Sequence, residues 1–348
     1  MLPTGIHSLT YSDEARLLRT TRSRIWLALL VVALLAYPLF AGPYMLGVFT
    51  NMFITLMAVY GLYVTVGMAG QINVAQSAFV GVGAFVTAKL SGYGLSFILV
   101  VPVAALITGA VSILFALPAA RVKGFYLALT TLAAQVVFPI VILALPMDWF
   151  GGLVGMSVEP IRIGSLTLGS PVDFYYFTLL LVAFLTVAAF NLKRSRFGRA
   201  MLAVRDNDVV AEVMGVPVFR TKALAFFVGS LFAGVAGACT AYFLQFVTVS
   251  SFTLFASVWY LGMLIVGGAQ SATGAILGVV FITFLQEGLH GVANALMQSG
   301  ASGGVLFPLT SVALGACVLL ALIFEPRGLA HRWSVLRTAF QLWPFPRN

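Results

Sequence analysis

Long apolar runs alternate with short polar breaks along this chain. A run of about twenty apolar residues suits a helix that crosses a bilayer. Such runs fall near 25–40, 46–65, 72–90, 96–118, 125–145, 174–192, 223–247, 256–272, 275–292 and 304–324, ten expected spans in all. They are continuous and do not alternate over about ten residues, which excludes a transmembrane β-barrel. Two breaks are long, 146–173 and 193–222. The pattern predicts an all-α polytopic membrane protein of about ten transmembrane helices. It divides into an N-terminal segment 1–24, a transmembrane domain 25–324 containing the loop 193–222, and a tail 325–348.

Composition strengthens this reading. Hydrophobic residues make up 61% of the 348 and charged residues only 8%, against roughly 25% charged in soluble proteins. The net charge of +9 raises the question of nucleic acid. The charges flank apolar runs, however, and form no stripe with interleaved aromatics, so the partner they fit is the lipid bilayer. With the N-terminus inside, 17 of the 19 Lys and Arg fall on cytoplasmic segments, and only Lys89 and Arg162 fall outside. Short basic loops are retained in the cytoplasm, which places both termini there. Arg16, Arg19, Arg22 and Arg24 precede the run Ile25–Phe40, superficially like a signal peptide. The long leader and the spans that follow make it an uncleaved first span.

The loop 193–222 holds seven Lys and Arg together with Asp206, Asp208 and Glu212. Asp206 and Asp208 stand where they can cap a short helix. Gly215 followed by Pro217 is a stop signal. Val209, Val210, Val213 and Met214 share one face at helical spacing. Such a stripe seeks a groove in a partner, or else packs on its own membrane domain as a plain connector. In 146–173, Ile161, Ile163, Leu166 and Leu168 alternate with polar neighbours and predict a small hairpin, either a dock for an external partner or a connector.

Polar letters at membrane depth concentrate between the second and third runs: Gly67, Gly70, Gln71, Asn73, Gln76 and Ser77. Buried amides are costly unless hydrogen-bonded, and dense glycine lets backbones approach or breaks a helix. The stretch is a pathway-lining or re-entrant element, or a helix interface held by amide hydrogen bonds. Thr130, Thr131 and Gln135 give the fifth run a polar face, and a second glycine-rich break spans 267–274. Gly229, Ala233 and Gly237 form a small-residue face that predicts close packing. Glu287 and His290 share a helix face near an outer end, where an interfacial pair is the simpler reading. No catalytic set or metal-ligand spacing appears, and Cys239 and Cys317 read as packing residues. There is also no phosphate-cradling GxxxxGK[ST], so any ATP-driven work belongs to another subunit.

Gly61–Phe85 (GLYVTVGMAGQINVAQSAFVGVGAF), Arg121–Ala133, Ser195–Phe226, Ile265–Gly278 and Ile323–Trp333 together resemble the LivM-type permease subunits of branched-chain amino acid ABC importers. The resemblance covers about Met45 to Trp333. It implies a coupling loop that meets an ATP-binding subunit through Ala211, Glu212 and Gly215, with Arg199, Asp206 and Asp208 beside them. On the pathway-lining reading of the polar letters, a substrate pathway runs near Gly70, Gln71, Asn73, Gln76, Thr130 and Gln135. The partners would be a homologous LivH-type permease, two ABC ATPase subunits that use the ATP, and an extracytoplasmic substrate-binding protein. The location would be the plasma (inner) membrane, with no cofactor in this chain, no metal site and no catalytic residue. Asn73 stands where serine is frequent in the family, and Val213 where alanine is. Urea and short-chain amide permeases share the signature, and an ion-coupled secondary transporter is the alternative from a different class.

Overall fold

The computed structural model describes residues 21–119, 124–163, 166–168, 170–298, 303–325 and 328–342. Most of the expected segment 1–24, the basic link at 120–123 and the end of the tail lie outside them. The helices, in chain order, are α1 (Thr21–Ala36), α2 (Pro43–Leu62), α3 (Gln76–Ser91), α4 (Phe97–Ala119), α5 (Phe125–Ala144) and the single turn α6 (Met147–Phe150). After the outer connector come α7 (Pro171–Arg194), α8 (Arg196–Asp206), α9 (Asp208–Val213), α10 (Val218–Leu244), α11 (Leu254–Gly267), α12 (Ala272–Gln298), α13 (Gly303–Phe324) and α14 (Leu329–Leu342).

Among the described residues, seven stretches are long and apolar enough to cross a membrane: 43–68, 97–118, 126–144, 171–194, 218–244, 249–267 and 272–297. Ile25–Leu39 and Leu309–Ala321 are shorter apolar helices. The expected span 72–90 is corrected, because residues 70–75 are not helical and α3 begins only at Gln76. Gly70 turns left-handed at φ +67, a conformation that glycine enters at little steric cost. Asn73 Oδ1 then accepts the Ala75 N–H at 2.9 Å, so the side chain competes with helix formation.

Helix ends follow local chemistry. Ser170 caps α7 by accepting from the Val172 N–H, Pro171 occupies the first turn, and Lys193 and Arg194 sit in the last. Cations at that end favour the helix dipole. Two tyrosines of α7 hold the end of α1: Tyr175 and Tyr176 donate to the Leu34 and Leu35 carbonyls, each at 2.9 Å.

The centre of the bundle is α10, which packs on α2, α3 and α4. The reason lies in its small residues. A Cβ on Gly229 would lie 2.7 Å from the Gly61 carbonyl of α2, and one on Gly234 would lie 2.7 Å from Ala105 Cα of α4. One on Gly237 would collide with the Val80 carbonyl of α3. The close packing expected from this face is what the structure shows. Around this core, α7 packs on α2, and α11 to α13 form a layer that reaches α2 through α12.

The expected hairpin is present, as β2 (Ile161–Ile163) paired antiparallel with β3 (Leu166–Leu168). Before it, β1 (Met156–Ser157) pairs antiparallel with β4 (Phe246–Val247), which ties the outer connector to the end of α10.

Candidate functional site

The site is built from two parts that meet, an intramembrane break and the basic loop beneath it. The break starts where α2 continues as a π-helical turn, Tyr63–Met68. Wide turns of this kind recur at functional positions. Beyond Gly70 the chain is non-helical to Ala75, and the first N–H groups of α3 would be orphaned at membrane depth. Side chains from distant helices meet them. Ser257 Oγ accepts from the Ser77 N–H at 2.8 Å, and Gln135 Oε1 accepts from the Ala78 N–H at 2.9 Å. Thr131 Oγ1 accepts from the Val74 N–H at 3.2 Å.

The same amides are satisfied in turn. Gln135 Nε2 donates to the Phe252 carbonyl at 2.9 Å, and Ser257 donates to Gln135 Oε1 at 3.0 Å. Asn73 Nδ2 donates to Gln76 Oε1 at 3.1 Å, and Gln76 Nε2 to the Ala58 carbonyl at 2.7 Å. The structure therefore gathers Asn73, Gln76 and Gln135 about the start of α3. Thr130 stays outside the network, half-buried and donating to the Tyr126 carbonyl of its own helix. Gln71 is the exception. It is 1% exposed, and neither its amide oxygen nor its amide nitrogen has a partner among the described residues. An unmet buried amide costs roughly 1–3 kcal/mol, so this position is held against a penalty that its neighbours avoid.

Below the break, Ser195 caps α8 through the Gly198 N–H at 3.1 Å. The expected cap of the next helix is corrected. Asn207, between Asp206 and Asp208, caps α9, its Oδ1 accepting from Val209 and Val210 N–H at 3.1 Å each. Asp206 is engaged elsewhere, with Arg205 at 2.9 Å, and Asp208 lies 3.5 Å from Lys222 Nζ. The helix ends as expected at Gly215, whose φ is +83. Ala211 is buried and Glu212 exposed. Val209, Val210, Val213 and Met214 are 59, 56, 83 and 78% exposed. The stripe therefore does not pack on the described residues of its own membrane domain, as the connector reading expected. Arg199 Nη1 bonds the Arg194 carbonyl at 2.9 Å and braces the α7–α8 corner.

Two contacts went unseen in the sequence. Arg205 Nη1 donates to the Gly67 carbonyl at 2.8 Å, and Lys193 Nζ to the Gln270 carbonyl at 3.2 Å. The two glycine-rich breaks also touch each other, since a Cβ on Gly67 would collide with the Ala269 carbonyl. Charge counting found the loop, but nothing in one sequence says which carbonyl a given cation reaches. At the opposite end, Tyr44 donates to Glu287 Oε2 at 2.6 Å, which joins α2 to α12.

These parts define a multi-pass membrane protein with a polar break gripped by a basic, helix-bearing loop. The chain belongs to the family described as branched-chain amino acid transport system / permease component, whose model matches residues 44–324. It is similar to the high-affinity branched-chain amino acid transport system permease protein LivM of Salmonella typhimurium, at 29% identity over 89% of this chain and 75% of the relative. The LivM of Escherichia coli is 28% identical over the same shares. An autoinducer 2 import system permease protein, LsrC of Klebsiella pneumoniae, is 35% identical over 36% of this chain and 35% of its own length. No solved structure matches the chain. The chain is thus a transport permease of the LivM-like kind.

Proposed function

We propose that the chain is the permease subunit of an importer of branched-chain or related amino acids, working by alternating access in the plasma (inner) membrane. Ten spans cross the bilayer with both ends in the cytoplasm. Separate ABC ATPase subunits consume the ATP, a homologous LivH-type permease completes the pore, and an extracytoplasmic binding protein delivers the solute. The chain carries no cofactor and no catalytic group. The observation that supports this most directly is α9: a short capped helix with an exposed apolar stripe, carried within the basic loop that grips the membrane break. A stripe of that shape fits a groove in a partner, and ATPase closure pushing on it rocks the spans. Along the pathway, Gln71 faces the solute, while Asn73, Gln76 and Gln135 hold the frame around it, beside Gly70 and Thr130.

The test is reconstitution with the native membrane partners. Leucine, isoleucine or valine uptake should require ATP, and a cysteine at Asn207 should be labelled only from the inner side. Replacing Glu212 and Gly215 together should uncouple hydrolysis from uptake while the chain stays in the membrane. Normal uptake by that double variant removes α9 from the mechanism. Ion-driven uptake by the chain alone makes it a secondary transporter. Exclusive uptake of urea, a short-chain amide or an autoinducer reassigns the solute.

A further inference from the structure

We infer that Arg205 is a positioning residue, a strut that carries the movement of α9 into the intramembrane break by holding the Gly67 carbonyl. The inference rests on the reading of α9 as the handle of an importer and names the link between handle and pathway. Arg205 is the penultimate residue of α8, two positions before Asn207, the cap of α9. Its guanidinium makes contacts in two directions. Nε and Nη2 hold Asp206 Oδ1 at 3.1 and 2.9 Å, and Nη1 reaches the Gly67 carbonyl at 2.8 Å.

The acceptor is informative. Gly67 lies in the last turn of the π-helical segment, where carbonyls lose their intrahelical partners. The neighbouring carbonyls are met by the backbone: Val66 accepts from the Gly70 N–H at 3.2 Å and Thr65 from the Gln71 N–H at 2.9 Å. Gly67 takes a side chain instead, a charge-assisted bond from a cation placed where the helix dipole favours it. The stem of Arg205 also fills the space over Gly70, where a Cβ would lie 2.6 Å from Arg205 Cγ. Gln71 follows Gly70 directly, so a shift of α8 and α9 acts on the backbone that carries the unpaired amide. Arginine suits the task because its planar fork serves Asp206 and Gly67 together. Lysine keeps the charge but cannot hold both in that geometry.

The experiment has two arms. In the first, the full chain in lipid nanodiscs, without partners, is followed by amide hydrogen exchange. Arg205→Ala should raise exchange at residues 66–75 at least tenfold and leave α10 protected, and Asp206→Asn, which frees the fork without removing it, should raise it less. Exchange at 66–75 within twofold of wild type in both variants overturns the strut. In the second arm, the assembled transporter carries Arg205→Lys. Solute moved per ATP hydrolysed should fall at least fivefold, a ratio that a loss of folded protein would not change. An unchanged ratio overturns the coupling role. If the wild-type assembly holds no ATPase, the importer reading fails by itself, and the exchange arm still decides whether Arg205 holds the break.

Discussion

The two glycine-rich breaks touch one another yet are built in opposite ways. The second, Gly268–Ser271, is a local turn between α11 and α12. The Gly268 N–H bonds the Leu264 carbonyl at 2.9 Å, and Ser271 Oγ caps α12 through the Gly274 N–H at 2.9 Å. Its own turn closes within a few residues, and Lys193 adds one distant bond, to the Gln270 carbonyl. The first break is closed by side chains far along the chain. Ser77 N and Ser257 Oγ are 180 positions apart, and Ala78 N and Gln135 Oε1 are 57 apart. A turn that closes on itself is a hinge point between two helices. A break closed by two other helices, α5 and α11, registers where those helices are, which is the property a gated pathway requires.

The comparison can be broken most severely at Gln135. Gln135→Leu strips partners from Ala78 N–H, Ser257 Oγ and the Phe252 carbonyl at once. The expected loss is about 3 kcal/mol or more, read as a large drop in thermal unfolding temperature in detergent. Gly267→Ala tests the local turn, because its Cβ would collide with the Gly274 carbonyl. Overpacking of that kind costs about 2 kcal/mol, and chemical denaturation should show it without disturbing hydrogen exchange at α3. Ser271→Ala removes only a cap and should cost about 1 kcal/mol, measured the same way. Gln71→Leu gives the smallest stability change and the sharpest contrast. It removes an amide that has no partner among the described residues, so unfolding should move by less than about 1 kcal/mol, and toward greater stability. On the proposed pathway, uptake should nevertheless fall at least tenfold. A Gln71→Leu chain as unstable as Gln135→Leu would place both amides in the same structural role.

The same contrast explains what could be read from the letters. The local features were legible. Val209, Val210, Val213 and Met214 with Gly215 outline α9, alternation outlines the 161–168 hairpin, and Gly229 and Gly237 announce the packing of α10. The late start of α3 was not legible as a boundary. Ile72, Val74 and Ala75 keep that window apolar, and the groups that cap α3 sit in other runs. The polar letters flagged the break without revealing that Asn73, Gln76 and Gln135 are satisfied and Gln71 is not. Asn207 does not stand out as a cap between two aspartates of equal local merit, because the pairing of Asp206 with Arg205 is a feature of the folded corner.

The glycines of α10 carry one more consequence. Backbone lies against backbone on three sides of this helix, which leaves little room for it to slide or rotate. With α2, α3 and α4 it forms a single stiff block. On the proposed alternating access, the travel that admits and releases a solute then falls to helices joined to that block by longer side chains, as α12 is through Glu287 and Tyr44.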